Sequence, residues 1–169
     1  KQVWSREVGI ADGHAAELQV VNTGLGIVVA GPSDRLDRVG VTYLGLDGSL
    51  LWQRSFATDA QSPKLMLEPD AEGAVFVSLR NADGTLGEAS HTLIRVDAEG
   101  QDTWRVTVPV SRGSRLSGLA AVVDASAYIL TTGDVPSLTK YDSEGVVAWD
   151  VLVPQANQYN DIHLLSNAD

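Results

Sequence analysis

An all-β chain built on a repeated four-stranded unit is the architecture this sequence predicts, and three observations carry it. Its four tryptophans, Trp4, Trp52, Trp104 and Trp149, recur every 45 to 52 residues. Three of them follow a glycine by four positions, as Gly48 with Trp52, Gly100 with Trp104 and Gly145 with Trp149. The segments around these pairs alternate apolar and polar residues with period two, as in Val106, Val108 and Val110, which is the spacing of a strand rather than a helix.

Each element of the repeat can be read in turn. The first strand is "ELQVVNTG", then "LMLEPDAEG", then "LAAVVDAS", with "IHLLSNAD" opening a further copy. A β-rich run follows in each complete copy, "GIVVAG", "AVFVSL" or "AYILTTG". The third strand is "VTYLG", "LIRVD" or "LTKYD", and the fourth lies around each tryptophan, continuing as "QRSF", "RVTVPV" or "DVLVP". Between third and fourth strands stand Asp97 to Gly100 and Asp142 to Gly145, where Asp accepts from turn N–H groups and Gly takes positive φ. Helical spacing is confined to a weak signal over 12–17.

Four-stranded units repeating every 40 to 50 residues with a recurrent aromatic are the pattern of a β-propeller. The sequence therefore predicts one propeller region over 1–169, with complete blades at 9–56, 57–108 and 109–153. Residues 1–8 and 154–169 are read as partial blades, a lone outermost strand over 3–8 and a lone innermost strand over 162–165. Since propellers close with several blades, the remaining ones are expected from a longer chain or from another molecule.

The spacing D-x-x-G-x-x-x-W, complete in Asp97-Gly100-Trp104 and Asp142-Gly145-Trp149, resembles the repeat of pyrroloquinoline-quinone-type (quinoprotein-like) propellers. The copy ending at Trp52 departs from it, with Gly45 where Asp is expected. The resemblance implies that each tryptophan lies on the outermost strand and is buried between adjacent blades. It also implies that a quinone-dependent dehydrogenase would carry a catalytic Asp, calcium ligands and cofactor-gripping residues near the ring axis, a set that matches no positions here. The same repeat occurs in non-catalytic propellers, so it carries fold and not activity.

Composition narrows the function classes. Twelve Lys and Arg against 22 Asp and Glu give a net charge of −10, which repels phosphate backbones and anionic membrane surfaces. No run approaches the length of a membrane helix, and the first residues carry no signal-peptide h-region. The absence of cysteine excludes disulfides, thiolate metal sites and a cysteine nucleophile.

Candidate chemistry is sparse. His14, His91 and His163 fall at unrelated places in the repeat and lack metal-ligand spacing. Ser137 to Lys140 matches Ser-x-x-Lys, but on a strand the two side chains point to opposite faces. The run from Gly24 to Gly31 lacks the third glycine and the helix of a dinucleotide fingerprint. Asn81, Asp83 and Glu88 are the oxygen-bearing candidates for Ca²⁺, in a loop that reads equally as a polar turn without metal. No cofactor is predicted. The loops expected to be longest cover 32–38, 81–90 and 111–117, and Arg35, Arg38, Arg112 and Arg115 in them are the candidate contacts for a protein partner. The expected function is a non-catalytic interaction or scaffold module of a secreted, periplasmic or otherwise extracytoplasmic bacterial protein. The alternative is part of a quinone-dependent dehydrogenase or a propeller hydrolase whose active site lies in missing blades.

Overall fold

The computed structural model describes Ser5 and residues 18–33, 37–58, 65–81, 90–110 and 115–153. These form twelve strands in three four-stranded antiparallel sheets, with no helix among the described residues. Sheet I holds β1 (Gln19–Asn22), β2 (Gly26–Pro32), β3 (Arg38–Gly45) and β4 (Leu50–Ala57). Sheet II holds β5 (Leu65–Pro69), β6 (Val75–Arg80), β7 (Ser90–Val96) and β8 (Asp102–Pro109). Sheet III holds β9 (Arg115–Ala121), β10 (Ala127–Thr132), β11 (Ser137–Tyr141) and β12 (Val147–Leu152). In each sheet the spatial order follows the chain, a meander joined by tight hairpins. The expected helix over 12–17, the end strands over 3–8 and 162–165, and Trp4, His14 and His163 lie outside the described residues.

The hairpin before each outermost strand is built as its sequence dictates. Asp97 Oδ1 accepts from the N–H groups of Glu99 (3.1 Å) and Gln101 (2.7 Å), and Asp142 Oδ1 does the same for Glu144 (3.0 Å) and Val146 (2.9 Å). Gly48, Gly100 and Gly145 close these turns at φ of 84°, 84° and 79°, the region that only glycine enters without steric cost. Gly45 keeps the same backbone bonds without its carboxylate: Asp47 Oδ1 supplies the acceptor, taking the Ser49 N–H at 2.9 Å. A Cβ at Gly45 would stand 2.7 Å from Ser49 Oγ and 2.8 Å from Asp47 Oδ1, so the departure from the repeat and its compensation exclude each other's alternative.

The core lies between sheets. Tyr43, Phe56, Leu79, Ile94 and their neighbours fill the space between I and II, and Phe76, Leu93, Val108, Ile129 and Tyr141 fill that between II and III. First strands meet first strands: the Gln19 amide donates to the Leu65 carbonyl at 2.7 Å and accepts from the Leu67 N–H at 2.8 Å, stitching β1 to β5. The loop expected over 111–117 is shorter than its composition suggests. β9 already begins at Arg115, because Arg115 pairs with Thr132 and Leu116 is buried in the second core.

Candidate functional site

The two seams between sheets share one contact and differ in a groove that lies in the second. In the first seam Trp52 of β4 lies flat on the β7–β8 hairpin of the next sheet. A Cβ on Gly100 would stand 2.8 Å from Trp52 Cγ, so the contact requires glycine for space as well as for φ. The indole Nε1 donates to the Ala98 carbonyl at 3.1 Å, and Tyr43 meets the ring edge-on with centroids 5.4 Å apart. Two residues further along β4, Arg54 donates to the Gly100 carbonyl at 2.9 Å, pairs with Asp102, and lies over the Phe56 ring.

The second seam repeats the contact. Trp104 of β8 lies on the β11–β12 hairpin, where a Cβ on Gly145 would stand 2.8 Å from Trp104 Cδ2. Phe76 packs on this indole at 5.5 Å. Trp104 Nε1, unlike that of Trp52, is buried without a hydrogen-bond partner among the described residues. Trp52 and Trp104 are both 9% exposed, whereas Trp149 is 38% exposed. The expectation that Trp149 is buried like the others is therefore corrected: on β12 it touches Tyr128 of its own sheet, and no described sheet packs over it.

Beyond the shared contact the seams differ. Between β8 and sheet III runs a groove of about 320 Å³, lined by the apolar Val108, Pro109, Val147 and Leu152 and by the polar Thr131, Ser137, Thr139, Tyr141 and Asp150, the last on the exposed strand β12. Aligning the third and fourth strands on Gly48, Gly100 and Gly145, and the second strands through their ladder partners, gives its origin. Phe56, Leu79 and Ile94, which fill the first seam, correspond to Val108, Thr131 and Thr139 in the second. Three large apolar groups are thus replaced by one smaller apolar group and two hydroxyls. Charge changes as well: Arg54, Asp102 and Arg105, an ion-paired trio in the first seam, correspond to Val106, Val147 and Asp150. Thr139 Oγ1 donates to Asp150 Oδ1 at 2.7 Å, and Thr131 and Ser137 bond each other at 3.1 Å. Burial, and secondarily the Asp150 charge, pushes the Tyr141 phenol above its ordinary pKa.

Of the residues singled out in the sequence, only some fall among the described ones. Arg35, Arg112, Asp83 and Glu88 lie outside the described residues, as does the side chain of Arg115. Arg38 heads β3, half-buried. Asn81 ties its loop to its own sheet, donating from Nδ2 to Ser90 Oγ at 2.8 Å and accepting from Thr92 Oγ1 at 3.1 Å. His91 is a buried residue of β7 with Nδ1 3.3 Å from Ser78 Oγ. Among the described residues no three His, Asp or Glu side chains cluster in a way that holds a metal.

One ionic cluster went unforeseen. Arg95, 8% exposed, donates through Nε (3.0 Å) and Nη2 (2.7 Å) to Asp70 Oδ2 and through Nη2 to Glu72 at 2.7 Å. Asp70 Oδ1 meanwhile accepts the N–H groups of Glu72 and Ala74, both at 2.9 Å. With both oxygens of the buried carboxylate satisfied, the cluster locks the β5–β6 hairpin against β7 and presents no open position for a ligand. Its sequence signal was the aspartate of "EPDAEG", which reads only as a turn residue until Arg95 is placed beside it.

No protein-family model matches the chain, and no curated protein matches it. Among solved structures it is similar to a protein of unknown function from Bacteroides caccae, at 10% identity and a TM-score of 0.46, over 69% of this chain. The chain spans about 37% of the length of that structure.

Proposed function

We propose that this chain is part of a β-propeller, with sheets I to III as successive blades, acting as a non-catalytic interaction or scaffold module of an extracytoplasmic bacterial protein. The carrying observation is the repeated seam: Trp52 on Gly100 and Trp104 on Gly145 are the same contact made twice, with first strands side by side. A unit that docks onto its successor in one fixed way generates a ring when further copies continue it. Trp149, with Val151 beside it at 48% exposure, is the corresponding face for a further blade. Support for binding over catalysis comes from where the polar groups go. The buried charges of Arg95 and Asp70 are consumed by each other, and the candidate loop residue Asn81 by its own sheet.

Affinity capture with the full-length protein tests the reading, run in parallel with a variant carrying Arg35, Arg38, Arg112 and Arg115 as alanine. A specific protein retained by the first and lost from the second is the expected result. Capture of none, together with quinone- and calcium-dependent substrate oxidation, would overturn it in favour of a dehydrogenase.

A further inference from the structure

We infer that the groove of the second seam receives an aliphatic ammonium, the side chain of a lysine on the partner protein; the partner rests on the function proposed above, while the groove stands on its own geometry. The first seam supplies the comparison. There the outer part is filled by Phe56 against Ile94 and Leu79, and its carboxylate, Asp102, is held between Arg54 and Arg105. In the second seam Val108, Thr131 and Thr139 leave the space open, and Asp150 takes the place of one arginine while Val106 takes that of the other. The result is an open groove lined by apolar side chains, with the exposed Asp150 carboxylate of β12 in its lining and no cation among the described residues that line it.

Each part suits one piece of a lysine side chain. Val108, Pro109, Val147 and Leu152 offer apolar surface to a four-carbon stem, and the charged head then reaches Asp150. Asp150 Oδ1 already accepts from Thr139, and Oδ2 has no hydrogen-bond partner among the described residues. One free carboxylate oxygen suits a compact ammonium better than the two-pronged guanidinium of arginine, which binds best to both oxygens together. Tyr141 lines the same groove, and its hydroxyl makes no hydrogen bond among the described residues, so it is available as a second acceptor. The net charge of −10 attracts a cation to this surface before contact is made.

The test is an amide NMR titration of the whole chain with n-butylammonium, n-butanol and N-acetyl-lysine methylamide. Butylammonium and the lysine amide should shift the Thr139, Tyr141 and Asp150 resonances saturably, with a dissociation constant of about 1 mM for so small a ligand. Butanol should bind at least tenfold more weakly, as should butylammonium to Asp150→Asn. The double variant Val108→Phe, Thr139→Ile, which restores the filling of the first seam, should lose the site. Asp150→Asn keeps the test valid if the double variant does not fold. Shifts that do not saturate, or butanol binding as well as butylammonium with Asp150→Asn unchanged, would overturn the groove. If butylammonium binds as expected while Asp150→Asn leaves capture of the partner undiminished, the assignment of a partner lysine is wrong. If no partner is captured at all, the function proposed above fails by itself, and the titration still decides the groove.

Discussion

Replacing Gly100 by alanine tests whether the tryptophan contact, and not merely the turn, holds adjacent sheets together. The new methyl would meet two separate costs. Gly100 has φ of 84°, where an L side chain costs about 1–2 kcal/mol. It also lies under Trp52, whose Cγ would be 2.8 Å from the added Cβ. That indole is 9% exposed and fixed by its bond to the Ala98 carbonyl, so it cannot withdraw without losing a hydrogen bond and opening the core, an overpacking cost of about 1–3 kcal/mol. The sum is about 2–5 kcal/mol. Gly24 is the control, because its φ is 81° but nothing stands within 4 Å of an added Cβ, so Gly24→Ala should cost only the backbone term, about 1–2 kcal/mol. Urea denaturation of both variants, repeated in a Trp52→Ala background, separates the terms. With the indole gone, Gly100→Ala should fall to the cost of Gly24→Ala. Equal costs for the two glycine variants in the wild-type background would refute the docking argument.

The unequal exposure of the tryptophans predicts that Trp104→Ala costs about 3–5 kcal/mol, while Trp149→Ala costs no more than about 1–2 kcal/mol; equal losses in chemical denaturation would mean that both indoles are equally covered. Two aspartates with the same turn role should also separate: Asp97→Ala removes an acceptor from two backbone N–H groups and costs about 1–2 kcal/mol, whereas Asp70→Ala also leaves the buried Arg95 guanidinium with only the exposed Glu72 carboxylate and costs about 3–5 kcal/mol. Similar denaturation midpoints for the two variants would sink the claim that Arg95 depends on Asp70. Finally, the Tyr141 phenol is pushed above its ordinary pKa of 10.0 by burial first and by Asp150 second. Because the folded state holds the proton more tightly, its contribution to stability is fully present below pH 10 and is lost as pH rises through the folded value. The difference in absorbance titration between the chain and its Tyr141→Phe variant should show Tyr141 ionising above pH 10.0, and Asp150→Asn should reduce that rise without abolishing it. A difference curve centred at or below pH 10.0 in the folded chain would contradict it.

The hairpins were legible because their chemistry is local. Asp97 and Asp142 bond to N–H groups only two and four residues away, and Gly100 and Gly145 are needed within the same few residues. The period of the tryptophans was equally plain, and with it the four-strand unit. What each tryptophan touches was not, since the partner of Trp52 lies 46 residues away at Ala98 and belongs to the next copy of the repeat. Trp149 shows the limit: identical spacing predicts identical position within a sheet, but burial needs a neighbouring sheet. The early start of β9 was missed because Ser111 to Ser117 reads as a loop by composition, while Leu116 is buried in the second core.

The groove was hidden for a different reason. Val108, Thr131 and Thr139 are each ordinary strand residues, and nothing local marks any of them. Their meaning appears only against Phe56, Leu79 and Ile94 in the equivalent positions of the preceding seam, where these apolar side chains pack in the core. A repeated architecture supplies such an internal control. Residues that hold the frame recur, as Trp52 and Trp104 do over their glycines, and their recurrence says little about activity. Residues that change in one copy, while the frame around them stays intact, are the ones to read for binding. By that criterion the second seam, with its polar lining and with Asp150 in no ion pair among the described residues, carries more information about recognition than the arginines predicted in the loops.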